Sequence, residues 1–566
     1  MKRIKLAPFI LVMVFTMQVM AQTNMAGVAA VGANVVTTPV FVPPTALTSQ
    51  LLASQLTVAL VDNVVLNKLT ELLNYAENEG MQRDWFLNND QAAALNMLVT
   101  QPTAASEANL KAAFKAITTN ILTSLNRGYV SPEKLGEKTN VKSKKAIASA
   151  IMNAELLKYA MAKESADDLF ATFRPKNPDY TKLLTIYKKI TAMNQAGEIK
   201  AAPANLGTVK PGSTDAPTIL FARQRLAMFG YENDVNNASY TDDLKQAIFD
   251  LQENNLLKGD GVIGKSSFGL LNTPIDQIIT RLKINLDRSR WLPDDLKSEY
   301  VHINLAAQRL FYYKDNAITL TFRTINGRVE RPTPIMIDAI NHMNLNPTWT
   351  VPKTIYFQDK GKLFASNPDY AAKMHYRFYD LRTNPPTEVG VRDINWLEET
   401  SKEKEAKGEM LYRIVQSPGG DSNALGWVKF PLLRNSLNIY MHDTNERDKF
   451  PGLNRLLSSG CIRLEKPFEL AEKLLSNQVD ATTTQPLYPM ATLKNMTVNL
   501  VPTASDESQL PLGRVVPVYV MYETTQVNDK GQMTLVADPY GIDMDMYDIM
   551  MNIPMVNAPA VGGSGG

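Results

Sequence analysis

Cysteine and histidine are the scarcest chemically informative residues in this sequence. It has one cysteine, Cys461, and four histidines among 566 residues. A single cysteine excludes an internal disulfide, so the fold must depend on hydrophobic cores, which 45% hydrophobic residues can fill over two to four domains. The sequence also has neither paired cysteines nor an H-E-x-x-H arrangement, which argues against a catalytic metal. We therefore expect no metal and no other cofactor.

The sequence also lacks an excess of charge of either sign. Its 59 Lys and Arg residues nearly balance its 57 Asp and Glu residues. This balance does not predict binding to nucleic acid or to an anionic membrane. Lys2, Arg3 and Lys5 precede an apolar run from Ala7 to Phe15, which predicts a signal peptide over residues 1–21 that is too short to span a membrane. We expect an exported, periplasmic protein with no membrane segment after cleavage, and an uncleaved anchor is the alternative.

The single cysteine lies in a stretch that has the features of a nucleophilic site. Apolar residues alternate with polar ones from Leu437 to His442, which predicts a strand with Tyr440 and His442 on the same face. A thiol becomes a nucleophile when a base or a cation lies nearby, and His442 and Arg463 can supply these. A buried, inert cysteine with an unrelated histidine upstream is the alternative.

His442, a spacer and the segment Ser-Ser-Gly-Cys-Ile-Arg together resemble the catalytic signature of the L,D-transpeptidases, cysteine enzymes that cross-link bacterial peptidoglycan. The usual motif has Ser-His-Gly-Cys, and Ser459 replaces its histidine here, as in the large Gram-negative members. The resemblance implies Cys461 as nucleophile and His442 as general base and then acid. It also implies that a backbone carbonyl, which the sequence does not identify, orients the histidine.

The remaining candidate residues surround this pair. Backbone N–H groups at Gly460 and the cysteine are natural donors to an oxyanion, and Arg463 supplies charge. By resemblance, Tyr440 and Ser459 are expected to contact the substrate. Trp427 either lines the donor site or packs, and we favour packing.

The sequence predicts a multidomain α + β protein. Leu and Ala stripes at helical spacing predict a helical scaffold region, and alternating residues after 300 predict a mostly-β catalytic domain with an inserted capping segment. The segment from Ala222 to Gly264, with its Asp-Gly-Val-Ile-Gly turn, resembles a three-helix peptidoglycan-binding module; a plain helical linker or a copy that does not bind are the alternatives. The expected divisions are a signal peptide (1–21), a linker (22–45), the scaffold (46–200), a linker (201–217), the module (218–273), the catalytic domain (283–541, with the insertion at 352–426) and a C-terminal tail (542–566).

The resemblance implies an exported L,D-transpeptidase that binds peptidoglycan stem peptides and is acylated by carbapenems. Its cysteine would form a thioester with a stem tetrapeptide and pass it to an amine, which gives 3–3 cross-links in cell-wall biogenesis and supports cell shape. Water as acceptor would make it an L,D-carboxypeptidase, and a protein as acceptor an anchoring enzyme. Two further alternatives are a cysteine amidase, which the order of histidine before cysteine disfavours, and a wall-binding scaffold without activity.

Overall fold

A computed structural model describes residues 64–87, 92–93, 95, 104–160, 165–203, 207–418, 420–434, 436–498 and 508–551. The expected signal peptide, the first linker and the last residues of the expected tail lie outside these residues.

The N-terminal part is helical, as the sequence predicts, and its described residues include five helices with defined bounds. They are α1 (Val64–Asn78), α2 (Ala104–Arg127), α3 (Ser149–Ala160), α4 (Ala166–Phe173) and α5 (Pro178–Gln195). Helix α5 has proline at its first position and is capped by Asn177, whose Oδ1 accepts the Tyr180 N–H at 2.9 Å. Apolar residues on α1 and α2, among them Leu72 and Ile121, are fully buried between the helices. None of the helices among the described residues combines the length and apolar character needed to cross a bilayer.

A smaller helical module follows, with the three helices that the sequence predicts. These are α6 (Ala216–Met228), α7 (Asp242–Asn254) and α8 (Lys265–Leu271), and α9 (Ile275–Ser289) leads from them into the sheet. The Asp260-Gly261 turn is fixed by Gln252, whose side chain bonds to the backbone N–H groups of both residues and to the Asp260 carboxylate. The buried residues of the module and of the scaffold form one hydrophobic cluster.

The catalytic part is built on one large sheet. Its strands are β1 (Tyr300–Asn304), β2 (Arg309–Lys314), β3 (Ala317–Gly327), β4 (Met336–Leu345), β9 (Val428–Pro431), β10 (Tyr440–His442), β11 (Leu456–Ser458), β12 (Ile462–Leu464) and β13 (Ser508–Met521). The hydrogen-bonded order is β11-β3-β12-β10-β9-β4-β13-β1-β2, and a further pairing of β2 with β3 closes the strands into a ring. Strand β10 therefore lies between β9 and β12, which places His442 and the residues around Cys461 on neighbouring strands.

The insertion between β4 and β9 forms a small unit with its own hydrophobic core. Its strands are β5 (Trp349–Thr350), β6 (Tyr376–Asp380), β7 (Thr387–Val389) and β8 (Tyr412–Gln416). Its helices are α10 (Lys353–Ile355), α11 (Gly361–Ser366), α12 (Asp369–Lys373), α13 (Trp396–Glu399) and α14 (Lys402–Lys407). Aromatic side chains fill the core, and Phe364 contacts both Phe378 and Trp396 at ring-centroid distances of 5.1 and 5.4 Å. Tyr440 of β10 packs against this core, so the insertion covers the strand that carries His442.

Three helices complete the fold: α15 (Pro467–Leu475), α16 (Met490–Val498) and α17 (Ile542–Met550). Helix α17 occupies residues assigned above to a tail, so that assignment is wrong for 542–550. The helix buries Ile542 and Met546, and its Asp543 carboxylate accepts from Arg288 at 2.6 Å, with both side chains almost fully buried. Because a buried ion pair that loses one partner is strongly destabilising, this contact fixes the helix to α9.

Candidate active site

Three neighbouring strands carry the predicted catalytic residues. His442 of β10 pairs in register with Arg463 of β12 on one side and with Lys429 of β9 on the other. Residues in register share a face of a sheet, and so do residues two apart along a strand. Tyr440 and His442 therefore project together, as the sequence predicts, and their rings lie 5.5 Å apart.

Strand β10 is shorter than the alternation predicts. It begins at Tyr440, whereas Leu437 lies in a turn with 51% of its side chain exposed. The reason is Asn438, whose φ of 53° is left-handed and cannot continue a strand. This turn brings the Asn438 carbonyl oxygen to 3.8 Å from the Cys461 Sγ.

His442 is buried and held in one tautomer. Its Nδ1 is hydrogen-bonded to the backbone carbonyl oxygen of Asp443. Because a carbonyl oxygen only accepts, Nδ1 carries the hydrogen and Nε2 keeps its lone pair. Burial, together with the positive charges of Arg463 and Lys429, lowers the pKa of His442 to about 3, so the imidazole is neutral at neutral pH and can accept a proton.

Cys461 is half-buried next to the Tyr440 hydroxyl. Burial raises the pKa of the thiol, while hydrogen bonds from Tyr440 and the charges of Arg463 and Lys429 act in the opposite direction. Burial and the neighbouring cysteine raise the pKa of Tyr440. The thiol and the imidazole are therefore both neutral at rest, and ionisation of the thiol must accompany attack on a substrate.

The loop before the cysteine is fixed by two hydroxyl groups. Ser458 Oγ donates to the Cys461 carbonyl oxygen at 2.6 Å and accepts the Gly460 N–H at 3.1 Å. Thr333 Oγ1 donates to the Gly460 carbonyl oxygen at 2.8 Å. The Gly460 N–H is thus already bonded within the loop, which does not favour it as an oxyanion donor. With a φ of 116°, this glycine supplies a backbone conformation that residues with a Cβ rarely adopt.

Ser459 and Arg463 are both tied to neighbouring polar groups. Ser459 Oγ accepts from Arg331 at 3.0 Å, and the same guanidinium donates to Asp359 of the insertion at 2.7 Å. Arg463 donates to Glu446 in the loop after β10. The insertion is therefore linked by charged hydrogen bonds to the loop that carries the cysteine.

Trp427 packs rather than opening towards the cysteine. Its indole lies against Gly420, where any Cβ would clash with the ring. Its backbone N–H donates to the Asp443 carboxylate at 2.9 Å, and this carboxylate also accepts from Arg447 at 2.6 Å. Asp443 thus orients His442 through its carbonyl, while its carboxylate faces away from the site.

Sequence reasoning missed several contributors. Thr333, Arg331 and Lys429 contact the site from other strands and loops, and Trp349 of the insertion bonds to the Tyr440 hydroxyl. A signal was available for Arg331 and Thr333, since the Arg-Pro-Thr-Pro segment stands where β3 ends. Their partners are more than 120 residues away along the chain, however, and no local pattern identifies them.

Comparison with known proteins gives a family match for two parts of the chain. Residues 298–518 match the family model described as the L,D-transpeptidase catalytic domain (YkuD). Over these residues the chain is similar to that catalytic domain. Residues 57–185 match a second family model, described as a scaffold domain, which accounts for most of the helical bundle.

The chain is also similar to named proteins. The chain is 30% identical over 280 residues to a Haemophilus influenzae protein named "Putative L,D-transpeptidase"; the match covers 50% of this chain and 50% of that protein, so the chain spans about half the length of this curated relative. It is also similar to the catalytic domain of an Enterococcus faecium L,D-transpeptidase solved by NMR, with 14% identity, 40% of this chain and 99% of that chain covered, and a TM-score of 0.17. An L,D-transpeptidase from Xylanimonas cellulosilytica is similar at 13% sequence identity. The match covers 56% of this chain and 100% of that chain, with a TM-score of 0.17.

Proposed function

We propose that this protein is an exported L,D-transpeptidase that acts on peptidoglycan through Cys461. The observation that carries the proposal is a neutral histidine whose Nδ1 is fixed by the Asp443 carbonyl, on strand β10, which pairs with the strand that begins directly after Cys461, within the matched residues. This arrangement leaves Nε2 free for proton transfer with the thiol.

Acylation begins when the substrate amide carbonyl reaches the Cys461 Sγ. The sulfur attacks the carbonyl carbon as its proton moves to His442 Nε2, and an oxyanion forms on the carbonyl oxygen. The C–N bond then breaks, and the protonated histidine gives its proton to the departing amine. The products are an acyl-cysteine thioester and an amine, D-alanine in the case of a stem tetrapeptide.

Transfer is the reverse sequence with a new nucleophile. An amine from a second stem attacks the thioester, His442 accepts its proton, and the C–S bond breaks to give a new amide. The proton then returns to sulfur. Arg463, held by Glu446, and Lys429 keep the site positively charged, which favours the thiolate while keeping the free imidazole neutral.

The insertion supports transfer to an amine over hydrolysis. It covers β10 with an aromatic core and bonds to the nucleophile loop through Arg331 and Asp359. A lid that excludes water lengthens the life of a thioester until an amine arrives. We propose 3–3 cross-linking as the main reaction, with water or a protein as the alternative acceptor, in the periplasm.

Intact-protein mass spectrometry with a carbapenem tests the nucleophile. We expect one covalent adduct on the wild type and none on Cys461→Ala. His442→Gln should retain the thiol but acylate at least about 100-fold more slowly, because it has no base for the proton. An adduct that persists in Cys461→Ala would place the nucleophile elsewhere.

The acceptor is identified with disaccharide-tetrapeptide as sole substrate. We expect 3–3 linked dimers to form with release of D-alanine. Tripeptide without dimer would identify a carboxypeptidase, and an unchanged substrate together with an absent carbapenem adduct would leave a wall-binding protein without this activity.

A further inference from the structure

A second cluster of titratable side chains lies around β1, away from β10 in the large sheet. Asp179 of α5, His302 of β1 and Glu523 after β13 bring one ligand atom each to within 4.8 Å of one another. They are 7%, 1% and 5% exposed. Strand β1 is four strands from β10 in both directions around the ring, the largest separation that eight strands allow, so the cluster is separate from the Cys461 site.

Two of the three groups are rigidly held. His302 Nε2 lies 2.9 Å from a Glu523 carboxylate oxygen. The Asn304 side chain, two residues along β1, accepts the Glu523 N–H at 3.1 Å and donates to the Glu523 carbonyl oxygen at 3.0 Å. This clamp fixes the glutamate relative to the histidine, as a preformed ligand pair requires.

Asp179 completes the cluster from the scaffold. An aspartate near a helix start often serves as the N-cap, but the N-cap of α5 is Asn177. Within the described part of the chain, the Asp179 carboxylate makes no hydrogen bond, and it lies nine-tenths buried against His302 and Glu523. A buried carboxylate without such a partner is costly, which points to a ligand between the three groups.

The donor groups indicate what that ligand is. One imidazole nitrogen and two carboxylates converge in a site that Tyr300 and Tyr313, stacked at 4.4 Å, border with apolar surface. The hydrogen bond from His302 engages Glu523 alone, at 2.9 Å, whereas a divalent cation can take all three groups as ligands.

We propose that Asp179, His302 and Glu523 form a structural binding site for a divalent transition-metal ion, Zn²⁺ by ligand type, that fastens the scaffold helix to the catalytic sheet. One imidazole nitrogen and two carboxylate oxygens are an established kind of Zn²⁺ ligand set, with a fourth position for water. The ion contributes no step to the cysteine chemistry. It links ligands that are 123 and 221 residues apart along the chain, and so it stabilises the folded arrangement of both parts.

The test begins from a chain in which the other metal-binding side chains are removed. Cys461→Ala combined with His342→Gln, His375→Gln and His442→Gln leaves His302 as the single histidine. Calorimetric titration of this untagged, chelator-treated protein with Zn²⁺ should give one saturable site. The ¹⁵N signals of the single imidazole should move to metal-bound positions at one equivalent.

Matched variants then test the carboxylates. On the same background, Asp179→Asn and Glu523→Gln should each lower the affinity for Zn²⁺ by at least about tenfold, as loss of a ligand does. Lys182→Gln combined with Asp529→Asn, which removes the nearby ion pair as a whole and so leaves the net charge unchanged, should leave the affinity unchanged. Zn²⁺ should also raise the Tm of the parent chain, a readout that survives if a cluster variant fails to fold.

The proposal is overturned if the parent chain shows no saturable Zn²⁺ site, or if Zn²⁺ binds while the imidazole signals stay unchanged. In either case the cluster is a proton-sharing ion pair between His302 and Glu523.

Discussion

Thr333 offers a sharp test of how the nucleophile loop is held. Its side chain is fully buried, and its hydroxyl accepts the Gly327 N–H at 2.9 Å while donating to the Gly460 carbonyl oxygen at 2.8 Å. Thr333→Val keeps the shape but leaves both backbone groups without a partner. Each buried group left unpaired costs about 1–3 kcal/mol, so for the two groups we expect a loss of about 2–6 kcal/mol of folding free energy.

Two measurements check this expectation. The unfolding temperature of the catalytic domain should fall by about 4–24 °C, at about 2–4 °C per kcal/mol for a domain of this size. Acylation by a carbapenem should slow by about tenfold if about 1.4 kcal/mol of the loss affects the position of Cys461 in the transition state.

Thr333→Ser is the matched control because it keeps the hydroxyl and loses one methyl group. It should retain near wild-type acylation, with a modest loss of stability. If the valine and serine variants are equally stable and react equally fast, the hydroxyl does not hold the loop and the reasoning is wrong.

Three further predictions concern the same site. Position 460 has room for a Cβ, but a Gly460→Ala variant must keep a φ of 116°. We therefore expect a loss of about 1–3 kcal/mol of folding free energy, measured by denaturation, and slower acylation, measured by mass spectrometry. A variant as stable as the wild type would show that the loop relaxes freely. Tyr440→Phe removes a hydrogen bond that lowers the thiol pKa, so the pH profile of Cys461 alkylation should shift upward, and an unchanged profile would contradict this. Because the pKa of His442 is lowered from 6.5 to about 3, the acylation rate should stay constant as the pH falls through 6.5. The neutral imidazole contributes fully to folding stability above pH 6.5, and this contribution is lost progressively as the pH falls towards 3. A fall in the acylation rate near pH 6.5 would contradict the neutral, buried imidazole.

The sequence predicts the parts of this protein that depend on local pattern. Helix α5 follows from its proline start and its spacing, and the shared face of Tyr440 and His442 follows from strand alternation. Local pattern could not show that Asn438 would turn the chain before β10, because asparagine adopts left-handed and extended backbone alike.

The supporting contacts of the site were beyond prediction for a different reason. The hydroxyl of Thr333 bonds to Gly460, which lies 127 residues further along the chain. Where each of the two residues lies in space depends on strands that come together only in the complete sheet. The carbonyl that holds His442 belongs to the next residue, but any of several nearby carbonyls was compatible with the sequence. The tail prediction failed at α17 because the partner of Asp543 is Arg288, 255 residues earlier.

The turn after β13 has a consequence for how the chain reaches its folded state. Val527, Met533 and Leu535 are buried in the same hydrophobic cluster as the scaffold and the module, and the Met533 N–H donates to the Phe229 carbonyl oxygen at 2.8 Å. The N-terminal half therefore lacks part of its hydrophobic core until residues near 530 have been synthesised. Closing so long a loop is slow relative to local helix formation, so the helical half exposes apolar surface during that interval. We expect chaperones that bind unfolded chains to act mainly at this stage.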